Sequence, residues 1–200
     1  MFERQPSKAQ IPATAKVVFQ GQFYTVVQWP QRLYDGSVAT FESVMRPDTV
    51  DIIAVTEDKK IVITRQEQPA LKQFISLPGG MIDESEEVEA AARRELREET
   101  GYVAGELEAW YIHQPLDRVD WCCFVLVATD CRRVAEPTPD AGEKIQVELL
   151  TFEEFTKLAF DPNFRNKNVA YEMLRRRGDD LSWNGLKREL GIGGIYDSNS

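Results

Sequence analysis

GGMIDESEEVEAAARRELREETGY, residues 79–102, is the stretch on which the reading of this chain turns. Seven glutamates lie between Glu84 and Glu99, and Glu95, Glu98 and Glu99 crowd into little more than one helical turn. The pattern predicts a helix from Glu86 to Thr100, capped by Asp83 with Glu86 as its capping-box partner. Gly101 supplies the left-handed residue that ends such a helix. At about 100° per residue, Glu99 falls about 40° to one side of Glu95 and Glu98 about 60° to the other. The three carboxylates therefore share one arc, next to an apolar stripe of Val88, Ala91, Ala92 and Leu96. Like charges four residues apart weaken a helix by about 0.2–0.5 kcal/mol, and desolvation beside apolar side chains sharpens the clash. Two readings follow. The helix is a solvated face laced by Arg93, Arg94 and Arg97, with Arg94 and Glu98 as an i,i+4 pair, or its carboxylates grip a hard divalent cation through oxygen.

The spacing favours the second. Gly80 is followed after five residues by Glu86, after seven more by Arg94-Glu95-Leu96, then after one by Glu98-Glu99, and after one by Gly101-Tyr102. This resembles the signature of the Nudix hydrolase family, G-x5-E-x7-R-E-U-x-E-E-x-G-U with U aliphatic. It departs only at Tyr102, where a ring keeps the apolar role. The resemblance implies a loop–helix–loop unit on an α/β/α sandwich with a mixed sheet. It also implies Mg²⁺ or Mn²⁺ as cofactor and hydrolysis of a nucleoside diphosphate linked to another group. Carried over by position, Glu95, Glu98 and Glu99 are implied metal ligands, the Gly79 carbonyl another, and Arg94 the residue that orients a glutamate. Glu98 is also a candidate base, and Glu86 is read as structural.

The flanks resemble the ADP-ribose pyrophosphatase and nucleotide-sugar hydrolase branch, loosely, over about residues 15–178. The resemblance implies that the first 46 residues, an arm and a small antiparallel sheet, help to form a homodimer and supply base-binding groups. A catalytic domain is then expected over 47–190, and a frayed tail over 191–200. Glu143 stands where such enzymes carry a loop glutamate that binds metal or activates water; its bland alternative is a surface acid. Arg65 and Gln66, at a strand end before the box, are candidate substrate contacts, with Arg65 equally readable as a surface charge. Gln68 and Ser76 depart from the branch, which often has arginine and glutamate there. These departures leave a GDP- or UDP-sugar or a dinucleotide open as substrate.

Strands are expected at 15–20, 23–29, within 50–66 on either side of a turn at 57–60, at 73–80, 107–113, 120–129 and 144–151. Helices are expected after Thr151, at 166–178 and at 183–190. Trp121 is readable as a base-stacking ring or as core, and His113 as an ordinary strand residue. The net charge of −9, with 33 acidic against 24 basic residues, argues against a nucleic-acid partner. No apolar run approaches a membrane span, and MFERQPSKAQIP lacks a signal-peptide core. Three cysteines, Cys122, Cys123 and Cys131, fit no zinc spacing. They read as reduced thiols of a cytoplasmic protein. Two further classes were weighed. A non-catalytic sensor would lose box glutamates, which are intact. An isopentenyl diphosphate isomerase-like enzyme would want a cysteine before the box, and none precedes Cys122.

Overall fold

The computed structural model describes residues 2–192. Its centre is a strand pair that reads, in sequence, as apolar on both faces. Thr49–Thr56 (β4) and Cys123–Arg133 (β11) run parallel in register from Cys123↔Thr49 to Ala128↔Ala54. Alternation splits β4 between two cores. Ile52 and Ala54 face Ala91, Ala92 and Leu96, while Ile53 and Val55 face Phe152, Phe155 and Phe164. Burial on both faces explains the near-continuous Val/Ile run and the parallel pairing.

The other strands are Lys16–Gln20 (β1), Thr25–Arg32 (β2), Val38–Met45 (β3), Ile61–Glu67 (β5), Phe74–Ser76 (β6), Gly79–Met81 (β7), Tyr102–Val103 (β8), Glu106–His113 (β9), Val119–Asp120 (β10) and Lys144–Leu150 (β12). The main sheet has the order β12-β5-β4-β11-β8, with β6, β7 and β9 added beside β5, β4 and β11. Val88–Thr100 (α1) covers one face; Phe152–Lys157 (α2), Lys167–Arg176 (α3) and Asp180–Glu189 (α4) lie towards the other. This is the expected α/β/α sandwich with a mixed sheet.

The small sheet has the order β1-β2-β3-β10. Its last strand comes from beyond residue 47 and pairs in parallel with β3, so the expected strand at 120–129 is divided. Val119–Asp120 joins the small sheet and Cys123–Arg133 the large one. The N-terminal arm is tied down where it is described. Arg4 bridges Asp48 (2.6 Å) and Asp120 (2.7 Å), and the Gln114 amide donates to the Pro6 carbonyl and accepts from the Lys8 N–H. At the other end, the Gly191 and Ile192 N–H groups donate to carbonyls of α4, and Ile192 packs against the core. The rest of the expected tail lies outside the described residues.

The catalytic-box helix starts later than expected. Ser85 adopts a left-handed φ of 66°, Glu87 is the N-cap without a side-chain bond, and the first helical residue is Val88. Asp83 does not cap. Instead, its N–H donates to Glu86 Oε2 at 3.1 Å, and Arg94 claims both oxygens of that carboxylate. The expected end holds: Gly101, at φ 75°, donates its N–H to the Arg97 carbonyl.

Candidate active site

Three segments converge at one end of α1: the β7 turn, the polar end of β5 and the loop before β12. On β5, Val62, Thr64 and Gln66 share the face turned to α1, by the two-residue period of a strand. Gln66 is buried and donates to Glu99 Oε1 at 2.9 Å. The other Glu99 oxygen accepts the Gly79 N–H at 2.9 Å. Beneath them the Gln66 amide also reaches Thr64 Oγ1 (3.1 Å) and Ser76 Oγ (3.3 Å).

Glu99 is 5% exposed. Burial pushes its pKa up to about 8, and the charges of Glu95 and Glu143 push the same way. The donors from Gly79 and Gln66 oppose this without overcoming it. Burial, opposed by Arg94, also raises Glu95, and burial with Asp140 nearby raises Glu143. Four acids therefore belong to the site, and three of them disfavour being charged at once.

Arg94 organises the helix side. Nε and Nη2 donate to the two Glu86 oxygens at 2.9 and 2.8 Å, Nη2 also to the Met81 carbonyl at 3.0 Å, and Nη1 to Glu95 at 2.8 Å and Glu98 at 3.2 Å. The hydrogen bonds to Glu86, and then those to Glu95, raise the Arg94 pKa. Glu98 is the acid of the trio with the most exposed side chain. Two glycines make room for this arrangement. A Cβ on Gly80 would fall well inside 3.0 Å of the Glu95 carboxylate, and one on Gly79, which holds φ 155°, would strike the Val50 carbonyl.

Glu143 approaches from the loop. Its Oε1 accepts from Gln68 Nε2 at 2.8 Å, and Gln68 also donates to Gln66 Oε1 at 3.2 Å. The glutamines thus join Glu143 to Glu99. Arg65 is placed differently: it points to the opposite face of β5 and pairs with Glu148 at 2.7 Å. Trp121 donates its indole N–H to Thr49 and carries the Arg46 guanidinium 4.4 Å above its ring, so one face is already covered. His113 stacks on Tyr111 on β9, away from the acids.

Gln68, Thr64 and Ser76 had no assigned role from sequence. A signal existed: polar residues at 64, 66 and 68 follow one another at the two-residue period of a strand and its end, so they fall on one side of the chain.

Among the described residues, no three His, Cys, Asp or Glu side chains enclose a single point as metal ligands do. The hydrogen bonds give the reason. Arg94 Nη1 sits between Glu95 and Glu98, and Glu99 is turned to Gly79 and Gln66. The donor set still suits a hard divalent ion: all ligating atoms are oxygens, and the repulsion that raises Glu99 is what an added cation relieves. No helix among the described residues is long and apolar enough to cross a membrane.

The NUDIX domain family model matches residues 45–173. The ADP-ribose pyrophosphatase of Bacillus subtilis (strain 168) is 29% identical over 159 residues, covering 77% of this chain and 85% of its own. The methanol dehydrogenase activator of Bacillus methanolicus is 33% identical over 96 residues, 48% of this chain and 51% of its own. A crystal structure of an ADP compounds hydrolase superposes with a TM-score of 0.69 at 20% identity, covering 95% of this chain and 100% of that one, a likeness of fold. With an intact glutamate box on α1 and a family match over most of its length, this chain belongs to the Nudix hydrolases and is similar to their ADP-ribose pyrophosphatases.

Proposed function

We propose that the protein is a Mg²⁺- or Mn²⁺-dependent pyrophosphatase that hydrolyses the diphosphate of ADP-ribose or a related nucleotide sugar, giving a nucleoside monophosphate and a sugar phosphate. The observation that carries this reading is the mutually repelling acid set of buried Glu99 with half-buried Glu95 and Glu143, beside the more exposed side chain of Glu98. The relative in Bacillus subtilis, an ADP-ribose pyrophosphatase sharing most of its length with this chain, supports the substrate class.

Glu95, Glu98 and Glu99, with the Gly79 carbonyl and Glu143, would hold the cation. When bound it would neutralise the diphosphate and acidify water. Arg94 keeps Glu95 and Glu98 on one side of the helix end, and Gln66 keeps Glu99 turned towards the β7 strand. Glu143 or Glu98 accepts the proton of the attacking water as the bridging P–O bond breaks. Gln66, whose amide is committed to Glu99, acts on substrate through that acid, whereas Arg65 is paired with Glu148 on the opposite face of β5.

A homodimer is part of the proposal. Strand β1 is exposed along its whole length, with Val17, Val18 and Phe19 each more than half exposed, a surface that suits a second copy. So is a cytoplasmic location, since Cys122, Cys123 and Cys131 are free and buried. The deciding test is a panel of ADP-ribose, GDP- and UDP-sugars and dinucleotides, with Mg²⁺ and with chelator, scored for released monophosphate. Metal-dependent release from ADP-ribose or a sugar nucleotide supports the reading. Full activity in chelator, or cleavage of nothing on the panel, removes it.

A further inference from the structure

We propose that Gln68 is a positioning residue: through a neutral amide relay, Glu143–Gln68–Gln66–Glu99, it fixes the loop acid Glu143 relative to the helix acid Glu99. This rests on the reading that Glu143 serves the hydrolytic site. The links are short and continuous: Gln68 Nε2 to Glu143 at 2.8 Å, Gln68 Nε2 to Gln66 Oε1 at 3.2 Å, and Gln66 Nε2 to Glu99 Oε1 at 2.9 Å. Each glutamine turns its NH₂ towards a carboxylate, and the carbonyl of Gln66 accepts the remaining Gln68 proton, the arrangement that suits both acids when ionised.

Nothing else among the described residues hydrogen-bonds the Glu143 side chain. The segment carrying it, between β11 and β12, has no regular structure. Its backbone is pinned at the far end, where the Val134 and Ala135 N–H groups donate to the Gly101 carbonyl and the Thr138 N–H to the Glu98 carbonyl. Nearer the acid, the bond from the Glu143 N–H to the Asp140 carbonyl is local, and a Cβ on Gly142 would meet only Pro69 Cδ, at 3.9 Å. The backbone beyond Glu143 joins the sheet where Lys144 pairs with Glu67, so what Gln68 adds is the tie on the Glu143 carboxylate itself. The glutamines are also electrically suited to the task. A neutral spacer links the two acids without adding a charge that would compete with a cation for them.

The relay makes Glu143 and Gln68 one functional unit, which a double-mutant cycle can read. The variants are Gln68→Met, which keeps the volume and loses the N–H, Glu143→Gln, and the double. Two measurements are made on the full chain: deuterium uptake over residues 138–144, and kcat and KM with Mg²⁺ on whichever substrate the panel identifies. Gln68→Met is expected to raise uptake over that segment several-fold and to lower kcat by about 10- to 100-fold with KM within about three-fold, a loss of the size seen when a positioned catalytic group is displaced. The double variant is expected to match Glu143→Gln alone. Unchanged uptake in Gln68→Met overturns the relay whatever the activity. So does a double variant that loses the product of the two single effects, or a change confined to KM, which would make Gln68 a substrate contact. An inactive wild type removes the functional reading but leaves the uptake measurement to decide the relay.

Discussion

The Gly79 N–H donates to Glu99 Oε2 at 2.9 Å, so the turn that enters the catalytic box and the last acid of its helix form a single hydrogen-bonded unit. The bond sets the depth of Glu99 beneath the helix end, and it brings the Glu99 carboxylate into the part of the protein where water is scarcest. A backbone donor and a side-chain amide favour its charged form, yet burial outweighs both.

That balance has a pH consequence. The folded pKa of Glu99, about 8, lies above the ordinary 4.5, so the folded chain holds this proton more tightly than the unfolded one. The associated stability is fully present below the unfolded value and is lost as pH rises through the folded one, with a ceiling on the order of a few kcal/mol. In chelator, the wild type is therefore expected to lose Tm between pH 5 and pH 9 more steeply than Glu99→Gln, and Mg²⁺ should reduce the difference by stabilising the charged form. Parallel Tm profiles for the two proteins would show that Glu99 titrates normally. With Mg²⁺ and substrate, Glu99→Gln should still lose orders of magnitude in kcat, because a neutral amide is a poor ligand for a hard cation.

Neighbouring glycines should fail in different ways. Gly79→Ala sets a methyl against the Val50 backbone at φ 155°, and neither can yield cheaply. A stability loss of about 1–3 kcal/mol is expected, read as a lowered urea midpoint. Gly80→Ala meets only the end of the Glu95 side chain, which can swing away. That variant should keep its urea midpoint within about 0.5 kcal/mol and lose activity, because Glu95 must leave its place. Equal destabilisation by both substitutions would contradict the distinction.

Arg94 uses its fork, not its charge alone. Five donor contacts reach three carboxylates and one carbonyl, a geometry that an ammonium cannot reproduce. Arg94→Lys is therefore expected to resemble Arg94→Ala in kcat, both at least ten-fold below wild type, with Mn²⁺ affinity reduced in each. Recovery of most activity in Arg94→Lys would show that the positive charge suffices.

Much of this was legible beforehand, for physical reasons that differ by region. The box could be read because a helix end, a cluster of acids and two glycines each demand fixed residue types at fixed spacing. The central strands could be read because two-sided burial leaves apolar runs at 52–55 in β4 and 123–128 in β11. The start of α1 was misread because Glu86, which has the sequence of a capping partner, spends its carboxylate on Arg94 eight residues away, and local pattern carries no information about that choice. The split of the 120–129 strand was hidden for the same reason: a two-residue pairing with β3 depends on the placement of a distant hairpin. Arg65 and Gln66 looked alike as a strand-end pair. The two-residue period sends one to Glu148 and the other to Glu99, and only the register of β5 says which.

The exposed strand β1 offers the last test. Lys16–Gln20 pairs with β2 on one edge only, and Val17, Val18 and Phe19 project from both of its faces into solvent. An exposed apolar edge of this kind is an aggregation hazard unless another chain covers it. If a second copy does so, Phe19→Asp buries a charge in the interface and should convert a two-chain particle to a one-chain particle in light scattering. If the strand is free in solution, the same substitution changes an exposed side chain and should leave the mass unaltered and stability within about 0.5 kcal/mol. The two outcomes separate cleanly because Phe19 is more than half exposed in the single chain and belongs to neither buried core, so any loss of the larger particle cannot be ascribed to unfolding of the core. A one-chain mass for the wild type itself would remove the dimer from the proposal and leave the catalytic reading untouched.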